Sequence, residues 1–184
     1  MTWDDEDLLR KSPNLERILI PSLDIQQRVR QLANEVSRDY ADTVPVLVNI
    51  LKGAFVFLAD LTRCLTIPHE VDFMAISSYH GGTQTTGVVK IEKDLKTNIT
   101  GRDVLVVEDI VDTGLTINYL LDMLQTRAPR SLRICTLLDK PHARRKEIPL
   151  AYTGFEIPNE FVIGYGLDYD EKYRNLPFIG VMKS

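Results

Sequence analysis

VLVVEDIVDTGLT, Val104 to Thr116, is the stretch that decides the fold. Its apolar half reads as a strand buried on both faces. Two acids, Glu108 and Asp109, end the run, and Asp112 follows three residues later. Thr113, Gly114 and Thr116 then lead into a segment of helical character. Acids at the carboxyl end of a buried strand stand where open α/β sheets bind ligands. Three carboxylates so close together repel one another unless a cation or a polyol shares them. The hydroxyl- and glycine-rich turn into a helix suits phosphate, because free backbone N–H groups and the positive helix end point at the ligand. Hydroxyl acceptors followed by a phosphate cradle fit a ribose 5-phosphate.

The bulk composition sets the frame around that stretch. A length of 184 residues is enough for one domain, residues 1–184, with a real core. A net charge of −4 gives no basic field for nucleic acid or an anionic membrane. Cys64 and Cys135 are far apart in apolar runs, so buried free thiols are expected, as in a reducing compartment. The start, MTWDDEDLLRK, is acidic and does not resemble a secretory signal. No apolar run approaches the roughly 20 residues that span a bilayer. A cytoplasmic protein is the expectation.

Outward from the central strand, strands and helices alternate. Residues 1–20 read as an acidic tail and a short strand. Ser22 is the expected N-cap of a helix to about Tyr40, with Ile25, Val29, Leu32 and Val36 on one face. VPVLVNIL (44–51), EVDFMAISSY (70–79), DVLVVEDI (103–110), SLRICTLLDK (131–140), FVIGYGLDYD (161–170) and LPFIGVM (176–182) read as strands. Helices are expected within 52–65 and over 115–128. HGGTQTTG (80–87) is a polar hairpin tip, with VVKIEKDL after it as the returning strand. This alternation implies right-handed crossovers and a mainly parallel sheet.

The 104–116 stretch resembles the phosphoribosyl-diphosphate signature of the type I phosphoribosyltransferases. Four further segments, placed along the chain in that family's order, resemble its hypoxanthine-guanine branch. They are LKGAF (51–55), SSYHGGTQTTG with LLDK (77–87 and 137–140), and GFEIPNEFVIGYGLDYDEKYRNL (154–176). The resemblance covers roughly residues 15–180. It implies an α/β type I phosphoribosyltransferase fold: a twisted, mainly parallel sheet flanked by helices, with a small hood and a flexible hairpin loop.

It also implies roles. Glu108 and Asp109 would bind the ribose hydroxyls, directly or through magnesium. The turn Asp112, Thr113, Gly114, Leu115 and Thr116 would hold the 5-phosphate. Asp112 would be the general base. Lys52, Gly53 and Arg174 would bind diphosphate, with a cis peptide before Lys52 aiming backbone N–H groups at it. Asp168 would join Glu108 and Asp109 in holding Mg2+. Lys140 would read the exocyclic oxygen of a 6-oxopurine, Phe161 would stack on the base, and Val162 would offer backbone groups to its edge. Ser78 and Tyr79 would lie on the loop that closes over the site and excludes water. Leu115 stands where some relatives carry a basic residue, so backbone amides must hold the phosphate there. The run Arg144-Arg145-Lys146 has no counterpart in these motifs and reads as a solvated face. A homodimer or homotetramer is implied.

Other templates fail. There is no G-x-x-x-x-G-K-[ST] loop, no G-x-G-x-x-G and no G-x-S-x-G elbow. His69, His80 and His142 show no metal-ligand spacing. Two alternatives to a hypoxanthine or guanine enzyme are a transferase for another base, such as xanthine, and a non-catalytic regulator of the same fold. The acidic balance disfavours a regulator that binds nucleic acid, and Asp112 favours an enzyme.

Overall fold

A computed structural model describes residues 4–78 and 89–183. A six-stranded sheet forms its centre, in the order β4-β3-β2-β5-β6-β7. The strands are β2 (Val46–Leu51), β3 (Glu70–Ser78), β4 (Val89–Lys93), β5 (Asp103–Val111), β6 (Ser131–Asp139) and β7 (Tyr152–Glu156). All neighbours run parallel except β3 and β4, which pair antiparallel. β4 is the expected returning strand of the hairpin. The hairpin tip itself, with Tyr79, lies outside the described residues, and of Ser78 only the backbone, at the end of β3, is described.

β5 explains why its sequence is continuously apolar. Leu105 and Val107 pack on one face with helices α2 (Ser22–Asp39) and α3 (Phe55–Cys64). Val104 and Val106 pack on the other with α4 (Leu115–Gln125). All four side chains are fully buried. Each such burial contributes roughly 1.5–3 kcal/mol, so the strand is anchored from both sides. Ile25, Val29, Leu32 and Val36 form the buried stripe of α2, as their spacing requires.

The hood is a three-stranded antiparallel sheet in the order β1-β9-β8. It joins β1 (Leu15–Ile20), near the chain start, to β8 (Val162–Ile163) and β9 (Ile179–Met182), near its end. Phe178 fills its small core with Leu15, Ile163 and Leu176. No helix among the described residues is long and apolar enough to cross a membrane.

Several local expectations are corrected. Ser22 does not cap α2: Pro21 holds that position, and the Ser22 N–H donates to Asp5 Oδ2 at 2.8 Å. The acidic start is not a plain tail, because Asp5–Arg10 form a short helix, α1, whose first-turn acids suit the positive helix end. α4 stops at Gln125, short of residue 128. The strand expected over 161–170 is only two residues of β8, followed by tight turns. β7 carries no clear alternation and went unread. Cys135 is buried and Cys64 half-buried, and both are free thiols.

Candidate active site

β2, β5 and β6 run in the same direction, so their carboxyl ends emerge along one edge. That edge carries Lys52, the acids of β5 and Lys140. Immediately after β5 the chain turns through Asp112, Thr113 and Gly114 into α4. Gly114 has φ +76°, a left-handed conformation that favours glycine. A Cβ there would also stand 3.0 Å from the Lys146 carbonyl oxygen. The resulting hollow, about 230 Å³, is lined by Glu108, Asp109, Asp112, Thr113, Gly114 and Thr116 among others. Leu115 is the first residue of α4 and does not line it.

Glu108 and Asp109 resist ionising together. Burial, and then the neighbouring Asp109, push the Glu108 carboxyl well above its usual range. Asp109 is pushed up to about 6, chiefly by burial, against the Ile110 N–H that its Oδ1 accepts at 2.8 Å. A cation or sugar hydroxyls would relieve that cost.

Asp109 also faces a second hollow, of about 390 Å³, with Lys52, Gly53, Glu92, Asp168, Glu171 and Arg174 around it. The Leu51–Lys52 peptide at its edge is cis. A Cβ at Gly53 would lie 1.7 Å from Asp109 Oδ2 and would displace that carboxylate, and the Gly53 backbone oxygen in turn excludes a Cβ at Gly166. Arg174 is anchored to the Gly166 carbonyl at 2.8 Å and pairs with Asp168 at 2.8 Å. Lys52 donates to both oxygens of Glu171 at 3.1 Å. Among the described residues no three or more His, Cys, Asp or Glu gather as a ready metal cage. Asp109 and Asp168 nevertheless share one hollow, and Glu108 lines the adjoining one. That donor set fits magnesium, which takes one or two carboxylates and completes its shell with substrate phosphate and water.

Lys140 is buried, and its ammonium lies 3.2 Å from Asp112 Oδ2. In the segment after it Arg145 and Lys146 are exposed, as their charges lead one to expect, but Arg144 is not solvated. Arg144 pairs with buried Asp139 at 2.6 Å and donates to the Ile148 carbonyl at 3.3 Å. The Arg145 N–H donates to the Thr113 carbonyl at 2.9 Å. This segment therefore backs the turn at Thr113 and Gly114.

Phe161 is 57% exposed, and Tyr169 meets it edge-to-face, with ring centroids 6.0 Å apart. The hollow beside them, about 450 Å³, is lined by hood residues and not by Lys140. Val162 is tied into the hood by its pairing with Val181. Tyr169, Glu171 and the Asp139–Arg144 pair were not singled out from sequence. Tyr169 and Glu171 flank Asp168 within the matched motif, which was the available signal.

A mainly parallel sheet whose strand ends carry paired acids, a hydroxyl- and glycine-rich turn into a helix, and a separate hollow with two cations suits a class that handles phosphorylated sugars. The chain matches the phosphoribosyl transferase domain over residues 21–170 and belongs to that family. It is 49% identical over 175 residues to the hypoxanthine-guanine phosphoribosyltransferase of Mycobacterium avium, covering 92% of this chain and 86% of that protein. The Bacillus subtilis (strain 168) enzyme of the same name is 48% identical over 170 residues, covering 92% and 94%. The crystal structure of a Staphylococcus aureus hypoxanthine phosphoribosyltransferase superimposes with a TM-score of 0.91 at 46% identity, covering 95% of each chain.

Proposed function

We propose that the protein is a purine-salvage phosphoribosyltransferase. It joins hypoxanthine or guanine to 5-phospho-α-D-ribosyl 1-diphosphate and releases IMP or GMP with diphosphate. The observation that carries this reading is the buried Lys140 ammonium beside the Asp112 carboxylate, at adjacent strand ends above the phosphate turn. One group there offers only donors and the other accepts, which matches an oxygen and an N–H on one edge of a 6-oxopurine.

The 5-phosphate rests on the backbone amides and hydroxyls of Thr113 to Thr116, at the N-terminus of α4. Glu108 and Asp109 orient the ribose hydroxyls. Lys52, Gly53 and Arg174 receive the diphosphate. Phe161 supplies an exposed aromatic face, and stacking on a base is typically worth about 1–3 kcal/mol; the Val162 backbone lies beside it. The base reacts as its N7–H tautomer: Asp112 accepts the N7 proton as N9 bonds to the anomeric carbon and the bond from that carbon to diphosphate breaks. Glu108, Asp109 and Asp168 would hold magnesium, which neutralises the charge of the departing diphosphate when bound. A cytoplasmic homodimer or homotetramer completes this reading, supported by the family resemblance.

The test is product identification. Incubation with hypoxanthine, the sugar diphosphate and magnesium should yield IMP and diphosphate in equal amounts. Hydrolysis of the sugar diphosphate without nucleotide would sink the reading.

A further inference from the structure

The proposed reaction gives no task to Glu171, which lines the diphosphate hollow and grips its two cations. Glu171 offers both carboxylate oxygens to Lys52 at 3.1 Å and also accepts from Arg174 at 3.3 Å. These are the two side-chain cations that the reaction assigns to diphosphate. The contact is of the kind a pair of phosphate oxygens would make. We propose that Glu171 is a built-in competitor for diphosphate. It occupies Lys52 and Arg174 until a diphosphate displaces it, and it retakes them as the product leaves. The proposal rests on the assignment of this hollow to diphosphate.

Three observations carry it. First, the turn that presents Glu171 is specifically shaped. Tyr169 and Lys172 exchange backbone hydrogen bonds at 3.1 Å, while Asp170 and Glu171 take φ of +53° and +60°. Side chains other than glycine seldom adopt that conformation unless their surroundings hold them there. The Glu171 N–H is tied to Asp168 Oδ2 at 2.9 Å, which fixes where its carboxylate starts. Second, the hollow has an excess of acid. Its lining includes two cations, Lys52 and Arg174, against Glu92, Asp109, Asp168 and Glu171. Asp109 and Asp168 are accounted for by magnesium, although Asp168 also pairs with Arg174, whereas among the described residues Glu171 is engaged only with the cations and its own turn. Third, the pair is easily broken. The Lys52 and Glu171 side chains are 66% and 65% exposed, and exposed ion pairs are individually weak. A weak competitor lowers affinity for diphosphate without blocking it. Binding that is equally strong before, during and after reaction does nothing for turnover, and a tightly held product slows it.

Titration calorimetry of inorganic diphosphate with magnesium tests this on the intact protein. Glu171→Gln keeps the shape and removes the charge. Its Kd for diphosphate should fall roughly two- to fivefold, the scale of one exposed ion pair. Misfolding cannot produce tighter binding. Glu92→Gln removes the same charge from the same lining but no described contact to Lys52 or Arg174, so its Kd should fall less. Unchanged or weaker binding in Glu171→Gln, or equal tightening in Glu92→Gln, would overturn the proposal while leaving the hollow's assignment intact. A wild type that binds no diphosphate would overturn the assignment and the proposal together.

Discussion

Lys140 and Asp112 face each other across the ends of two neighbouring strands, Nζ to Oδ2, at 3.2 Å. The two are not equally sheltered: the lysine side chain is 7% exposed and the aspartate 47%. A sheltered donor beside an accessible acceptor can bind an incoming base without either group leaving its place. The Lys140 N–H, donated to the Val111 carbonyl at 2.9 Å, fixes the register between them.

Asp112 is expected to act through its charge and not its shape. Asp112→Asn should lower turnover by about 10²–10⁴-fold, the usual contribution of a general base. Affinity for the sugar diphosphate, measured by calorimetry without the purine, should change little. Near-wild-type turnover would remove Asp112 from the role of base.

Arg144 should brace the site from behind. Arg144→Ala strands Asp139, whose side chain is 6% exposed, without its cation. The cost is about 2–3 kcal/mol, or a Tm lower by roughly 4–12 °C. Because the same segment holds Thr113 and crowds Gly114, KM for the sugar diphosphate should rise more than kcat falls. Calorimetry and steady-state kinetics on the purified variant check both. An unchanged Tm with unchanged KM would show that the pair braces nothing.

These side chains also show where sequence stops being informative. The central strand was legible because burial on both faces demands an unbroken apolar run, and Val104 to Val107 supply one. The turn into α4 was legible because Gly114 and its threonines lie close together in the chain. Family motifs extended the site to Lys52, Lys140, Phe161 and Arg174. What stayed hidden depends on distant partners. Lys52 and Glu171 are 119 residues apart, and nothing local to either announces the pair. Arg144 lies in a basic run that looks solvated until Asp139 is placed beneath it. β7 was missed because YTGFE has neither the alternation of a half-buried strand nor the continuous apolarity of β5.

Removal of divalent cations should abolish activity. Asp109 and Asp168 share the hollow proposed for diphosphate, and unscreened carboxylates there oppose an anionic substrate. Exhaustive chelation should reduce the rate to background, and added magnesium should restore it. Full activity in the chelated protein would rule out a metal-assisted departure of diphosphate.

The central claim is that a 6-oxopurine is selected by Lys140 and transferred to the ribosyl carbon. Its most direct test is kcat/KM for hypoxanthine and for adenine, in the wild type and in Lys140→Met. Methionine keeps much of the stem but loses the donors. The wild type should prefer hypoxanthine strongly, up to the ~10⁴–10⁵ reached by sites built around one buried hydrogen bond. The variant should lose far more activity toward hypoxanthine than toward adenine, so the preference narrows. A wild type that uses adenine as well as hypoxanthine, or a ratio that Lys140→Met leaves unchanged, would contradict the claim.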